Sequence, residues 1–159
     1  MHVTRMADYG VRLMIELAMR PAGARATASE LARASGASFA FAGKILQRLV
    51  KARLLTSRAG HDGGFELERP AADISMLEIV TALEGTLCMN DCLPGGAGCS
   101  RQPWCPAHDV WANAQGAVAH VLASERLDRL AAAAVYNRAR LKAVVPTTPA
   151  PAHEAPLSA

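Results

Sequence analysis

The stretch that most constrains this chain runs from Thr27 to Arg69, where helix, glycine turn, helix and hairpin follow with no slack between them. Thr27-Ala-Ser-Glu30 is a capping box, in which the hydroxyl takes an amide of the first turn and the glutamate reaches back to the cap. Leu31 and Ala32 give that helix an inward face, and Gly36 stops it after about two turns. Ser38 then caps a second helix with a buried stripe of Ile45, Leu46, Leu49 and Val50. Lys44, Gln47, Arg48 and Lys51 lie largely on its other side. Two helices joined by a short turn containing glycine, the second basic outside, make a helix-turn-helix. Leu54 to Arg58 and Phe65 to Arg69 read as strands, with Ala59-Gly60-His61-Asp62-Gly63-Gly64 as the turn between them. The order predicts a winged helix.

The flanking segments are helical as well. Residues 4–20 repeat Met6, Tyr9 or Gly10, Leu13 and Leu17 at helical spacing, with Thr4 as cap and Pro21 and Gly23 as the stop. Ser75-Met-Leu-Glu78 is a second capping box, opening a helix through Ile79, Val80 and Leu83 that Gly85 ends. A long helix from Ala107 to Leu122 carries Val110, Trp111, Ala114, Val118 and Leu122 on one stripe and Ala117 and Val121 on another face. So wide an apolar arc needs cover beyond one small chain, which predicts a homodimer seam. Ser124 opens a last helix with Leu127, Leu130, Ala134 and Leu141 inward. The expected fold is mainly α with a small β-hairpin. Its expected organisation is a DNA-binding winged helix over 1–84, a cysteine-rich loop over 85–106, dimerisation and C-terminal helices over 107–143, and a proline-rich disordered tail over 144–159. With only 4% aromatic residues, the core is expected to consist of alanine, leucine and valine.

Charge separates the chain into two halves. Residues 1–69 hold 11 Lys or Arg against 6 Asp or Glu, whereas residues 70–159 hold 6 against 8. From Ser38 to Arg58 five basic residues occur without one acid, the footprint expected of a nucleic-acid face. The longest run free of charged residues, Val110 to Ser124, is shorter than the roughly 20 residues of a membrane span. Arg5, Asp8 and Arg12 leave no apolar leader. A cytoplasmic protein without membrane partners is expected. No phosphate-binding glycine loop, nucleophile elbow or acidic dyad speaks for an enzyme.

All four cysteines lie in one loop, spaced Cys88-x3-Cys92-x6-Cys99-x5-Cys105-x2-His108 among Pro94, Gly95, Gly96, Gly98 and Pro103. Apart from Leu93 and Trp104 the loop has almost no apolar content, so metal–thiolate bonds are expected to organise it. In a chain without an export signal, clustered thiols bind metal more often than they form disulfides. Structural zinc favours ligands paired two to four residues apart, which only Cys88 and Cys92 satisfy. The wider gaps suit an iron–sulfur cluster, while zinc and redox-active thiols remain alternatives at this point.

Met1-His-Val-Thr-Arg-Met-Ala-Asp-Tyr-Gly-Val-Arg12, Lys44-Ile-Leu-Gln-Arg-Leu-Val-Lys-Ala-Arg-Leu-Leu55, the Gly-Gly-aromatic turn and Ile74-Ser-Met-Leu-Glu-Ile-Val-Thr-Ala-Leu-Glu-Gly85 resemble the IscR/NsrR family of winged-helix iron–sulfur transcription regulators. The similarity spans about residues 1–130, and the cysteine loop is its most specific part. It implies a homodimer on promoter DNA that acts as a repressor or other regulator and senses nitric oxide, redox state or iron through its cluster. The cluster would be 4Fe–4S or 2Fe–2S, held by Cys92, Cys99 and Cys105. In NsrR-like members the fourth ligand is an acid near the N-terminus supplied by the partner subunit, and Asp8 stands there. In IscR-like members it is a histidine just after the third cysteine, and His108 stands there. Asp8 also suits an ion pair with Arg5 or Arg12, His108 the start of a helix, and Cys88 a small buried hydrophobe or spare ligand. Asp8 places the chain nearer the NsrR-like members. A zinc- or thiol-based regulator on the same scaffold is the alternative.

Two departures bear on DNA reading. Family wings read Arg-Gly before the glycines, but here Ala59 precedes Gly60 and Arg58 is displaced by one residue, which turns its side chain to the other face. His61 is its weak substitute. Phe39-Ala-Phe-Ala-Gly43 also offers base edges almost no hydrogen-bonding group. Ser38, Lys44, Gln47 and Arg48 remain, the charged ones suited to phosphates. Phe39 or Phe41 either meets thymine methyls or packs in the core.

Overall fold

A computed structural model describes residues 4–60 and 63–144 of the chain. His61 and the expected tail from Pro146 onward lie outside the described residues. The first helix, α1 (Arg5–Ala18), starts where the Thr4 hydroxyl accepts the Met6 amide at 3.1 Å, and Met19 closes it two residues before the expected stop. In α2 (Ala28–Ser35) both arms of the capping box form: Glu30 N–H donates to the Thr27 hydroxyl at 3.2 Å and Thr27 N–H to the Glu30 carboxylate at 2.8 Å. Gly36 leaves it at φ +76°, a left-handed conformation that glycine adopts without steric cost. Ser38 caps α3 (Phe39–Lys51) through the Phe41 amide.

Strands β1 (Leu55–Arg58) and β2 (Gly64–Leu67) pair antiparallel, with Leu55 opposite Leu67 and Arg58 opposite Gly64. Ala26 adds a rung outside the hairpin by exchanging both backbone hydrogen bonds with Phe65, at 2.8 and 3.0 Å. Gly64 is needed there: at φ +141° any Cβ would lie 2.7 Å from the Ala26 carbonyl oxygen. The helix α4 (Met76–Glu84) opens with the Ser75–Glu78 capping box. Burial pushes the Glu78 carboxyl up, but hydrogen bonds from Ser75 and the charges of Arg69 and Arg126 outweigh it and hold the group below the ordinary carboxylate range. The last described elements are α5 (His108–Ser124) and α6 (Leu127–Val144).

One core joins these elements. Leu13 and Met14 of α1, Leu31, Ile45, Leu46, Leu49, Leu55, Ile74, Ile79 and Leu127 are all buried in it. Leu127 shows that the last helix completes the same core as the winged helix, and Leu127 N–H bonds the Ile74 carbonyl at 2.9 Å. Two expectations need correction. No valine among the described residues is buried: Val11, Val50 and Val80 are half-buried because each sits on the margin of its helical stripe. Leucine, isoleucine, alanine and methionine fill the interior instead. Leu141 is not inward either but 66% exposed, and every residue from Val135 to Lys142 is exposed as well, although Arg138 still pairs with Glu16 of α1.

Packing between α1 and α4 turns on Gly10, whose missing side chain leaves the space that Leu83 occupies. A methyl group at Gly10 would collide with the end of the buried Leu83 side chain. Overpacking of this kind costs about 1–3 kcal/mol, against the roughly 1 kcal/mol that alanine gains over glycine within a helix. Gly10→Ala should therefore lower the urea midpoint at unchanged slope, and should cost less in a Leu83→Ala background than in the parent. A single variant as stable as the parent would contradict this packing.

Candidate nucleic-acid interface and cysteine loop

The outer side of α3 presents Lys44, Gln47 and Lys51, with Ser38 exposed at its start. Arg58 is exposed at the end of β1, and Gly60 follows at φ +108°. The two phenylalanines part company. Phe41 is half-buried with its ring edge-on to Tyr9 at 5.7 Å, so it belongs to the packing between α1 and α3. Phe39 is 65% exposed. Sequence reasoning left the two undivided, and helical angle does not separate them: Phe39 stands two turns before the buried Leu46 and is exposed as the first residue of α3.

Arg48 is exposed yet not free of the protein. Its Nη1 donates to the carbonyl of Leu83 at 2.7 Å and lies 2.9 Å from the Met6 sulfur. The Thr4 hydroxyl also donates to the Glu84 carboxylate. The last turn of α4 is thus tied to α3 by Arg48 and to the start of α1 by Thr4. Gly85 then turns the chain, at φ +84°, straight into the cysteine loop.

That loop has more shape of its own than its composition suggests. Leu93 is buried, Gly98 N–H bonds the Asp91 carbonyl at 2.8 Å, and the Gln115 side chain of α5 accepts the Met89 amide at 2.8 Å. Gly96 permits a close approach that a Cβ would block, at 2.5 Å from the Asp91 carbonyl oxygen. All four thiols are free: Cys99 is exposed, while Cys88, Cys92 and Cys105 are partly buried. Among the described residues no three His, Cys, Asp or Glu side chains converge as a metal-holding group. Of the expected ligands, Cys92 and His108 do share a cleft of about 380 Å³ beneath the loop. The Nδ1 of His108 is buried without a hydrogen-bond partner. Asp8 lines a different cavity, of about 490 Å³, together with Glu84 and Cys88. Its carboxylate pairs with Arg12 one turn along α1 at 2.8 Å. The Cys88 thiol bonds the Asn90 carbonyl at 3.2 Å.

A helix-turn-helix with an attached wing and a terminal helix pair defines a winged-helix DNA-binding regulator. The chain belongs to the Rrf2 family, whose model, described as an iron-dependent transcriptional regulator, matches residues 3–133. A helix-turn-helix transcriptional regulator of Mycobacterium tuberculosis is 36% identical over 87 residues, 55% of this chain and 54% of the relative. The chain thus matches about half the length of that relative. The regulator IscR of Photorhabdus laumondii is 25% identical over 82% of this chain and 79% of its own. Among solved structures, CymR, the global cysteine regulator of B. subtilis, superposes with a TM-score of 0.71 at 25% identity, over 83% of this chain and 97% of its own. The family model and the first two of these similar proteins are described as transcriptional regulators, and CymR as a regulator. No helix among the described residues is long and apolar enough to cross a membrane.

Arg48 and Lys44 should separate in a folding assay. A charged donor lost from a backbone carbonyl costs about 1–2 kcal/mol, while truncation of an exposed lysine stays within about 0.5 kcal/mol. Arg48→Ala should lower the thermal midpoint and Lys44→Ala leave it in place; equal midpoints would show that the Leu83 bond carries no stability.

Proposed function

We propose that this chain is a homodimeric promoter-binding regulator, a repressor in its simplest form, which senses nitric oxide, redox state or iron through an iron–sulfur cluster in the Cys88–Cys105 loop. What carries the reading is the continuity from that loop, through Gly85, to the Leu83 carbonyl held by Arg48 of α3. A change in the loop acts on the end of α4 and thereby on the helix set to enter the major groove. The apolar residues exposed on α5, Val110, Trp111 and Val121, suit a seam with a second copy, which would set the spacing of the two reading helices.

Cys92, Cys99 and Cys105 would hold the cluster. Soft thiolates suit iron, and the bound group would supply reactivity toward nitric oxide or oxygen. For the fourth position, the unpartnered Nδ1 of His108 beside Cys92 supports a ligand from within the protomer. The resemblance to NsrR-like regulators supports Asp8 from a partner subunit. Anaerobic purification followed by absorption and iron and sulfide assays tests both levels. Cys99→Ala should give a folded, colourless protein, and the weaker fourth ligand should reveal itself by a cluster that forms but decays faster in whichever of His108→Ala and Asp8→Ala removes it. A colourless parent protein containing zinc, or one that forms disulfides on oxidation, would favour a zinc- or thiol-based regulator on the same scaffold. The solved structure of a CymR from Staphylococcus aureus in an oxidised form gives the thiol reading its support.

On DNA, Ser38, Lys44 and Gln47 face the duplex, with Arg48 shared between DNA and the end of α4 and the exposed Arg58, beside Gly60 in the wing, suited only to the phosphate backbone. Phe41 contributes by holding α3 against Tyr9. Lys44→Ala should weaken binding about equally on specific and random duplexes and reduce the salt slope by about 1. Loss on one sequence alone would mean that Lys44 reads bases.

A further inference from the structure

We infer that Phe39 is a specificity-determining residue that reads a thymine methyl in the major groove, through a notch left by Gly43. The inference rests on the operator-binding reading above. Phe39, Gly43 and Gln47 follow one another at four-residue intervals and form a row that runs from the edge of the buried stripe at the start of α3 to its outer side. At its head Phe39 is 65% exposed, while the neighbouring Phe41 spends its ring on Tyr9. In the middle, a Cβ on Gly43 would meet no protein atom within 4 Å. Glycine inside a helix is unfavourable, and neither a neighbour nor a left-handed φ requires it at this place. The pair therefore makes an apolar ring beside an open gap, closed on the far side by the amide of Gln47.

Charge decides what enters the gap. Lys44 and Lys51 flank Gln47 on the outer side of α3, and no acid occurs between Ser38 and Arg58. That field selects a polyanion over an apolar protein partner. In the major groove the one apolar group on a base edge is the C5-methyl of thymine, and the adenine edge offers Gln47 the acceptor and donor pair its amide matches. A T·A step accounts for both side chains and for the gap between them.

The test uses the full chain and a duplex selected by it from a random-sequence pool. Each thymine is replaced in turn by uracil, which removes only the methyl, and affinity is read by fluorescence anisotropy. The parent protein should lose about fourfold at one thymine per half-site, the equivalent of about 0.8 kcal/mol for one buried carbon. Phe39→Ala should bind the thymine and uracil duplexes equally. Gly43→Ala should raise the melting temperature, because alanine favours the helix, and yet weaken binding to the selected duplex. Equal sensitivity to uracil in the parent and in Phe39→Ala overturns the contact while leaving operator binding intact. Gly43→Ala that binds as tightly as the parent overturns the notch. Failure to select any duplex overturns the operator-binding reading, and this inference with it.

Discussion

Leu83 does two things at the end of α4: its side chain fills the space left by Gly10, and its carbonyl accepts the Arg48 guanidinium. Helix termini leave their last carbonyls unsatisfied, and a cation is favoured there by the helix dipole. Arg48 meets both needs at once. The Thr4 hydroxyl on Glu84 adds a second tie. Three helices therefore meet at one turn, and the cysteine loop begins at the next residue but one. That junction joins the winged helix directly to the start of the loop, while beyond the loop α5 and α6 tie back through Gln115 and Leu127.

The winged helix was legible because its signals are local. Thr27 with Glu30 and Ser75 with Glu78 stand three residues apart, and both arms of each box form as the spacing requires. Gly36 and Gly85 mark helix ends for the same reason. The membership of Leu127 in the core was not legible. Its neighbour Ile74 lies more than fifty residues earlier, and periodicity reports which face is apolar but not what covers it. The exposure of Leu141 has the same origin, for the apolar spacing of α6 continues after its partner surface has ended.

At the functional site the residue types were readable and their partners less so. Thiols grouped within eighteen residues raise the expectation of ligation chemistry, and the closeness of His108 to Cys105 follows from sequence alone. That the His108 Nδ1 is buried without a partner could only emerge from how α5 packs against the loop. Arg48 shows the sharper difficulty. On a helical projection it is one more cation on a basic face, and nothing within its own helix signals a carbonyl thirty-five residues away.

Arg48 also gives the molecule a two-way character. On the proposed reading, a guanidinium drawn toward a DNA phosphate would have less to give to Leu83, so engagement of the duplex would loosen the turn from which the cysteine loop departs. Coupling free energies are reciprocal: whatever the state of the loop does to affinity for DNA, DNA does to the loop by the same factor. The operator would then be an effector of the proposed sensor. A regulator seated on its promoter would answer its signal at a different threshold from the same regulator free in solution, and the fraction of protein bound to DNA would help to set the sensitivity of the whole population.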